Sequence, residues 1–471
     1  MKKINFLILF IFFISINGCK KYLDVNKNPN NPLDVPEAIS LPAVETVIST
    51  QIVGGNVTFG VATTTSYWMQ QLALNQEQPQ IDGYKITTDG VDWYFLYPTL
   101  KNLQLLSAKA VTNGNYGYAG IAEVLSAYTI GIITDMWGDV PYSQALAGLD
   151  NFRPTYDKQE DIYKAIQAQL DKAIEYFGKP PSALDPGSDD FIYGGDTEKW
   201  KKFAYTLKAR YYMHLSKAPA YSAATQADLA LAALQNGFGS NDDDAAFAYP
   251  GTSGNESPWF QNTLSGAGGV VLSTTIIDSL VSRHDPRLPV IAAEAATGGG
   301  YHGRVIGSGA NPDPDEYSRV NDFYAGAAAS VYILTYGEAL FLKAEATLIK
   351  SGYSDAQSIY KDGITAHMAK LGIDITSPAA QSYLASRGTL TAGNALQRIM
   401  EEKSIADFLS IENYNDWRRT GYPLLIRVQN SFQDTDIPLR MPYPLTSITS
   451  NPQPENEEGA TPITKPVWWD N

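Results

Sequence analysis

Paired acidic residues are the first features of this sequence that could do chemistry. Glu401 and Glu402 stand side by side in a helical pattern, and aspartates form similar runs at positions 189–190 and 242–244. A glycosidase needs two carboxyl groups on separate parts of the backbone, about 5 to 10 Å apart across the scissile bond. Neighbouring residues on a helix point to different faces, so we expect Glu401 and Glu402 to lie on a solvated face or to pair with a nearby cation. The acidic runs therefore do not support a hydrolase.

Motifs for nucleophilic, phosphate or metal chemistry are weak or absent. The four histidines are scattered without H-E-x-x-H spacing, and no G-x-S-x-G string occurs. Residues 298–303 spell G-x-G-x-x-G, but the following RVIGSGANPDP cannot form the helix that a dinucleotide site requires. The run 242–244 lacks the glycine and glutamate of an EF-hand loop, which leaves a loose calcium site there, or at Asp313 and Asp315, as the remaining option. We expect no catalytic residue, no cofactor and no resident metal.

The only cysteine, Cys19, follows an apolar run near the N-terminus. Lys2 and Lys3 precede residues 6–16, which are apolar except for Ser15. This run is shorter than the about 20 residues that span a bilayer, and it has the length of a secretory signal's apolar core. The string INGC at its end also resembles a bacterial lipobox, in which the cysteine is acylated and becomes the new N-terminus. The alternatives are a plain signal peptide with an incidental cysteine, or an N-terminal membrane helix.

A lone cysteine cannot form an intramolecular disulfide, and lipidation gives it a role. We therefore predict a signal peptide over residues 1–18, lipidation of Cys19 and a lipid-anchored tether over residues 19–36. The tether is rich in asparagine and proline and can reach at most roughly 55 Å when extended. Residues 37–471 are predicted to form a single helical body.

Composition restricts the class of partner. The formal charge of the full chain is -15, and loss of residues 1–18 removes two lysines and leaves -17. An acidic surface without a basic stripe repels phosphate backbones, so we exclude nucleic acid as a partner. The chain has 29 tyrosines and eight tryptophans, more than a core of this size needs. Such an excess is typical of surfaces that stack on sugars or peptides.

Apolar residues recur at spacings of three and four through most of the chain, which predicts a mainly α protein. Predicted helices cover residues 93–111, 117–134, 162–177, 196–216, 228–235, 331–350 and 395–410, and another begins after Ser354. The predicted helix over residues 331–350 and the one that begins after Ser354 form a helical hairpin that is loosely like a tetratricopeptide repeat. Long irregular segments at 76–89, 236–269, 297–321 and from 434 onward are expected to lie over one side of this scaffold.

Several strings have no catalytic logic but are distinctive: CKKYLDVNKNPN, DMWGDVPYSQAL, WKKFAYTLKARYYMHL, HDPRL, GEALFLKAEA, NDWRRTGYP and RMPYP. In this order, from Cys19 to about Pro444, they resemble the SusD/RagB family of outer-membrane nutrient-binding lipoproteins, in its SusD-like branch. In DMWGDVPY, a helix is predicted to end in a turn at Gly138 and Pro141. In NDWRRTG, Arg418 or Arg419 is predicted to clamp a carboxylate and fix the C-terminal region to the helices.

The resemblance implies an α-helical fold in which tetratricopeptide-like pairs support irregular loops. It also implies a lipid-anchored protein of the outer membrane, facing the cell exterior, that caps a SusC-like TonB-dependent channel. Such a protein holds a glycan, or in some members a peptide, without breaking bonds. A surface-anchored glycoside hydrolase and a helical-repeat adaptor for other proteins remain the alternatives.

Aromatic residues in or beside the long loops are the candidate ligand contacts. The main candidates are Trp68, Trp93 and Trp259, and the others are Tyr67, Tyr84 and Tyr301. Nearby amides that could bind sugar hydroxyls are those of Gln70, Gln71 and Asn75. The competing interpretation of each aromatic is core packing, which is the expectation for Trp200 and Trp417.

Overall fold

The computed structural model describes residues 35–55, 60–75, 80–93, 95–182, 184–264, 269–309, 313–456 and 461–470. The predicted signal peptide, Cys19 and most of the tether lie outside these ranges. Within them the chain forms 17 α-helices and six strands of two to four residues. The expectation of a mainly α fold is confirmed.

The helices, numbered in chain order, are α1 (Glu37–Val47), α2 (Val61–Trp68), α3 (Leu96–Asn113), α4 (Tyr116–Trp137), α5 (Gln159–Phe177), α6 (Thr197–His214), α7 (Ala223–Leu234), α8 (Pro258–Leu264), α9 (Thr274–Ser282), α10 (Leu288–Ile291), α11 (Asp322–Ala325), α12 (Tyr336–Ser351), α13 (Tyr353–Lys370), α14 (Pro378–Arg387), α15 (Ala395–Ala406), α16 (Glu412–Thr420) and α17 (Leu445–Ser450). The strands are β1 (Leu72–Leu74), β2 (Val140–Pro141), β3 (Tyr156–Asp157), β4 (Ala245–Phe247), β5 (Val270–Leu272) and β6 (Val331–Leu334). They pair antiparallel as β1 with β5, β2 with β3 and β4 with β6.

The scaffold is a succession of helices, each packed on the next in the order α3, α4, α5, α6, α7, α12 and α13. The hairpin of α12 and α13 is present as predicted from its periodicity. Its junction is Gly352 alone, with φ of 89° and an extended ψ of 177°, so the connection is shorter than the predicted turn. Positive φ is the conformation that glycine adopts without a steric penalty.

Helix α4 is the centre of this scaffold. It is apolar on all sides, and 94% of its most apolar window is buried inside the body. Among the described residues it is the one helix long and apolar enough to cross a membrane, and its burial identifies it as a core helix. A Cβ on Gly131 would lie 1.8 Å from the Tyr211 hydroxyl, so this glycine lets α4 and α6 approach closely.

Two sequence predictions of secondary structure are wrong. Residues 331–334 form strand β6 rather than the first turn of a helix, because they pair with β4 from a distant part of the chain. The segments 236–269 and 434–471 are not wholly irregular, since the first contains β4 and α8 and the second contains α17. Helices α1, α2, α9, α10, α11, α14 and α16 were also not predicted.

Buried ion pairs join the scaffold to the C-terminal region. Arg418 donates to the carbonyl of Asp135 at 2.7 Å and to that of Leu439 at 3.0 Å, and Arg419 clamps Glu345. The predicted role of these arginines is confirmed. Glu402 is buried and accepts from Arg287 at 2.6 Å, which confirms pairing with a cation and excludes the solvated face.

The tether ends against α3. Lys109 donates to the carbonyl of Val35 at 2.8 Å, while Asn113 and Asn115 donate to the carboxylate of Glu37 at 2.7 and 3.1 Å. The body is therefore attached at its first residues to the end of α3 and the turn into α4.

Candidate functional site

A cavity of about 560 Å³ lies between the end of α1, strand β4 and the start of α8. We call it the aromatic cavity. Phe191, Phe247 and Tyr249 line it, with ring centroids 5.7 Å apart for the first two and 5.0 Å apart for the last two. Phe191 is 47% exposed, so its ring faces the open space. Known ligand pockets measure about 300 to 1,000 Å³, and this cavity is within that range.

Polar groups surround the rings. The side chains of Thr46, Thr50, Gln51, Asn255 and Gln261 line the cavity together with Glu256. Glu256 accepts hydrogen bonds from the Gly254 amide at 2.9 Å and from Gln261 at 3.3 Å. The hydroxyls of Tyr249 and Ser49 lie 2.8 Å apart, and burial raises the pKa of Tyr249 to about 12. The cavity thus combines flat apolar faces with amide and hydroxyl groups, the combination that binds sugars.

A hydrogen bond to helix α1 fixes the position of Phe191. Its backbone N–H donates to Glu45 Oε2 at 2.8 Å, and Glu45 is completely buried in α1. Burial and the neighbouring Asp190 raise the pKa of Glu45 well above its usual range, although the hydrogen bond from Phe191 lowers it. Glu45 therefore supports the aromatic wall from inside α1, where burial disfavours its charged form.

A second cavity adjoins the first at Gln51, which lines both. It measures about 480 Å³ and is lined by residues 88–92, Phe95 and α17. We call it the loop cavity. Phe95 is 42% exposed there, and a hydrogen bond from Thr87 lowers the pKa of the exposed Asp89. Together the two cavities form an extended surface that can hold a chain-like ligand.

Four of the six predicted aromatics lie in the core. Tyr67, Trp68, Tyr84 and Trp259 are all buried, and none has a ring face open to solvent in this conformation. The Trp68 ring packs on Tyr414 at 5.4 Å. Trp259 lies directly behind the aromatic cavity, since a Cβ on Gly55 in the cavity wall would be 2.5 Å from its ring. A direct ligand role for these residues stays a prediction that burial disfavours.

The other two predicted aromatics are half-buried against the core. Trp93 packs edge-on against Trp137 at 5.9 Å, and Tyr301 lies on a different loop. No ring contact joins any two of the six candidates within the described part of the chain. The amides are also committed, because Gln70 accepts from Thr275 and Gln71 accepts from the Leu409 N–H, both at 3.0 Å.

The aspartate runs hold the fold together. Asp243 pairs with Lys202 at 2.9 Å, and Asp244 lies 3.5 Å from Lys370. Asp313 accepts from the Asp315 N–H at 3.0 Å. Among the described residues, no three histidine, cysteine, aspartate or glutamate side chains are grouped as metal ligands.

The aromatic cavity was not found by sequence reasoning, although part of its signal is visible. Phe247 and Tyr249 alternate along strand β4 and the residues after it, directly before the turn at Pro250 and Gly251. Alternate residues of a strand point to the same side, so the string FAYP predicts two neighbouring rings at a loop. Phe191 is more than 50 positions away and gives no comparable signal.

Comparison with protein families decides the classification. The family model SusD-like_2, described as "Starch-binding associating with outer membrane", matches residues 38–444. The chain belongs to this SusD-like family. The resemblance inferred from the sequence strings is therefore confirmed.

Solved structures of SusD-like proteins share the fold over nearly the whole chain. A SusD/RagB family protein from Bacteroides thetaiotaomicron has a TM-score of 0.77 and 26% identity, covering 93% of this chain and 99% of that one. A SusD homologue from Bacteroides fragilis has a TM-score of 0.75 and 25% identity, with 92% and 99% covered. A structure named as a chitin-binding protein has a TM-score of 0.76 and 26% identity, with 91% and 99% covered. The search of curated proteins gave no match.

Proposed function

We propose that this SusD-like protein binds a glycan at the bacterial cell surface, leaves its bonds intact and passes it to a SusC-like TonB-dependent channel. The observation that carries the proposal is the aromatic cavity, where the exposed ring of Phe191, the half-buried ring of Tyr249 and several amide and hydroxyl groups line one open space, backed by the buried ring of Phe247. A pyranose ring has apolar C–H faces and hydroxyl edges, which match these two kinds of group. One stacked ring contributes on the order of 1 kcal/mol, by analogy with aromatic pairs, so several rings must act together.

The family description and the similar structures support a polysaccharide ligand. The family is described by starch binding, and one similar structure is named for chitin binding. Starch and chitin are neutral chains of hexose units, so their oligosaccharides are the first ligands to test. The adjoining loop cavity gives room for further sugar units beyond Gln51.

The cellular setting rests on the sequence and the family. The predicted signal peptide and the predicted lipidation of Cys19 support attachment to a membrane, and the family description supports the outer membrane. Delivery to a SusC-like channel follows from the same resemblance. A peptide remains the second ligand class, and the alternatives of a hydrolase and an adaptor become outcomes of the test.

Calorimetric titration of the soluble chain that starts at Lys20 tests the proposal with malto- and chito-oligosaccharides. We expect saturable binding to one of the two series. Removal of one ring, as Phe191→Ala or Tyr249→Ala, should weaken affinity about tenfold, which corresponds to about 1.4 kcal/mol. Tyr249→Phe keeps the ring and loses only the contact with Ser49, so it should bind almost as well as the wild type.

The test includes one control variant, and three results would contradict the proposal. Phe152→Ala removes a ring that is 71% exposed and outside both cavities, and it should not change affinity. Unchanged binding in both Phe191→Ala and Tyr249→Ala would place the site elsewhere. New reducing ends in the titrated mixture would indicate a hydrolase, and binding to other proteins without any oligosaccharide affinity would indicate an adaptor. Copurification with a large β-barrel from detergent extracts tests the channel partnership.

A further inference from the structure

A third cavity lies where two of the recognition strings meet. Gly138 and Asp139 come from DMWGDVPY, Arg440 and Tyr443 come from RMPYP, and they line a space of about 370 Å³. The remaining lining residues are Lys158, Pro454, Glu455, Thr461, Lys465, Pro466 and Trp468. The cavity shares no lining residue with the aromatic or loop cavity. One residue of its lining is unusual, and neither the packing of the fold nor stacking on a glycan accounts for it.

That residue is Arg440, a buried arginine whose guanidinium has no carboxylate or backbone carbonyl partner. The residue is 5% exposed, and its Nε and Nη2 atoms are buried and have no hydrogen-bond partner. Its central carbon lies 5.1 Å from the centroid of the Tyr443 ring. A buried guanidinium keeps its charge, and leaving its N–H donors unpaired costs several kcal/mol, roughly.

The other buried arginines show how unusual this is. Arg210, Arg287 and Arg419 each donate to a buried carboxylate. Arg304 and Arg418 donate to backbone carbonyl oxygens. Within the described residues, Arg440 is the buried arginine whose side chain forms neither kind of bond.

The acids near Arg440 are already committed. Asp139 accepts from Lys158 Nζ at 2.7 Å through Oδ2 and from the Gln159 N–H at 2.9 Å through Oδ1. Glu455 accepts from the same lysine at 3.1 Å. The Tyr443 hydroxyl donates to the Asp139 carbonyl at 2.6 Å. Both carboxylates are therefore bonded to Lys158, and neither accepts a hydrogen bond from the Arg440 guanidinium, which is left without a carboxylate ligand of its own.

The electrostatics agree with this geometry. Burial lowers the pKa of Arg440, and the nearby Tyr443 and Asp139 only partly offset it. The opposite holds for Arg287, where Asp285 and Glu402 outweigh burial and raise the pKa. An anion in the cavity would supply the missing compensation. The exposed Lys465 on the rim adds a second positive charge.

We propose that this cavity binds an oxoanion, a carboxylate or sulfate group that is free or carried on a sugar, with Arg440 as its main ligand. The planar fork of a guanidinium matches the two oxygens of such a group, which a lysine cannot do in the same way. Aromatic walls from Tyr443 and Trp468 would cover one side of the bound group. The site differs from the neutral-sugar site and works independently of it.

Calorimetric titration with sodium glucuronate, acetate and sulfate, at constant ionic strength, tests the site. Glucose and sodium chloride are the neutral and ionic controls. We expect saturable binding of at least one oxoanion. Tighter binding of glucuronate than of acetate would show that the sugar ring contributes, and equal binding would show that the anionic group alone is recognised.

Substitutions distinguish Arg440 from a general charge effect. Arg440→Gln should reduce affinity tenfold or more, and Arg440→Lys should be intermediate because it keeps the charge without the fork. Arg153→Gln removes an exposed charge outside the cavity and should bind like the wild type. Should Arg440→Gln fail to fold, the ¹⁵Nε resonance of Arg440 in the wild type provides a second measurement, and it should shift on titration.

Three results would overturn the proposal. The first is absence of saturable oxoanion binding by the wild type. The second is equal binding by wild type and Arg440→Gln, or an Arg440 resonance that does not move. The third concerns Glu457 and Glu458, which lie outside the described residues between Glu455 and Thr461 in sequence. Binding that appears only in the Glu457→Gln/Glu458→Gln variant would mean that the chain's own carboxylate occupies the site.

Discussion

Arg419 in α16 binds both carboxylate oxygens of Glu345 in α12, 74 positions earlier in the chain, and both side chains are 2% exposed. Arg419 also donates to Asp416 at 2.8 Å. The pair joins α16 to the scaffold helix α12. At this contact, charged side chains hold the two helices together in place of apolar ones. Buried pairs of this kind are costly to break, because the remaining charge has no partner.

The first prediction concerns this pair. Arg419→Gln leaves Glu345 buried without its guanidinium, and we expect the free energy of unfolding to fall by about 3 to 5 kcal/mol. Urea unfolding followed by circular dichroism measures it. The double variant Arg419→Met/Glu345→Leu removes both charges and should lose less than the single variant. A double variant that is less stable than Arg419→Gln would contradict the argument.

The second prediction concerns pH and His214. Burial lowers the pKa of this imidazole, but Glu412 at 2.9 Å and Asp135 at 3.6 Å outweigh burial and raise it to about 9. The folded pKa lies above the unfolded value near 6.5, so the stabilisation is complete below about pH 6.5 and disappears as pH rises to about 9. The loss is roughly 3 kcal/mol at most.

Urea unfolding at pH 6 and pH 9.5 measures the effect of His214. The wild type should lose stability between these values, and His214→Asn should show a much smaller change. His302 is exposed, and His302→Asn should keep the wild-type pH dependence. Equal pH dependence in His214→Asn and wild type would show that another group controls the loss.

The third prediction links Trp259 to the aromatic cavity. Gly55→Ala places a Cβ 2.5 Å from the Trp259 ring and 3.0 Å from its Cα, so the wall of the cavity must move. We expect a loss of about 1 to 3 kcal/mol in stability, as in other overpacked cores, together with weaker oligosaccharide binding. Gly393→Ala is the matched control, since its Cβ would meet nothing within 4 Å. Unchanged affinity in a folded Gly55→Ala protein would separate Trp259 from the site.

The fourth prediction concerns Cys19. Cys19→Ala should abolish acylation, and the protein should move from the membrane fraction to the soluble fraction. Labelling with a palmitate analogue and cell fractionation measure both effects, while thermal unfolding of the body should be unchanged. Membrane retention of the variant would favour an N-terminal membrane helix. Protease treatment of intact cells then tests the outward orientation.

The helices that sequence reasoning found are those with apolar stripes, such as α5, α6 and α13. Helix α16 was missed because all of its buried residues except Tyr414 are charged or amide side chains, including Glu412, Asp416 and Arg419. Hydrophobic periodicity cannot identify a helix that is buried through ion pairs. Helix α2 was missed for a different reason, since its three threonines favour strands, yet Thr65 bonds back to the Val61 carbonyl at 3.0 Å.

The candidate site was harder to predict than the fold. Choosing aromatics by their position in long loops selected Trp68 and Tyr84, which the fold buries. The aromatic cavity instead combines Gln51, Phe191 and Tyr249, which are up to about 200 positions apart, and no local spacing records their proximity. Family strings predicted the architecture well because they mark helix ends and buried pairs. They do not mark the loops that bind ligand.

The contacts of Val35 and Glu37 with the end of α3 also have a mechanical consequence. Tension on the N-terminal chain first reaches Lys109, through Val35, and then Asn113 and Asn115, through Glu37 at the start of α1. The force therefore acts next to the buried helix α4 and does not first detach an outer element of the fold. A pulling force on the N-terminal chain is therefore expected to break the contacts of Val35 and Glu37 with α3 before it unwinds the rest of α1.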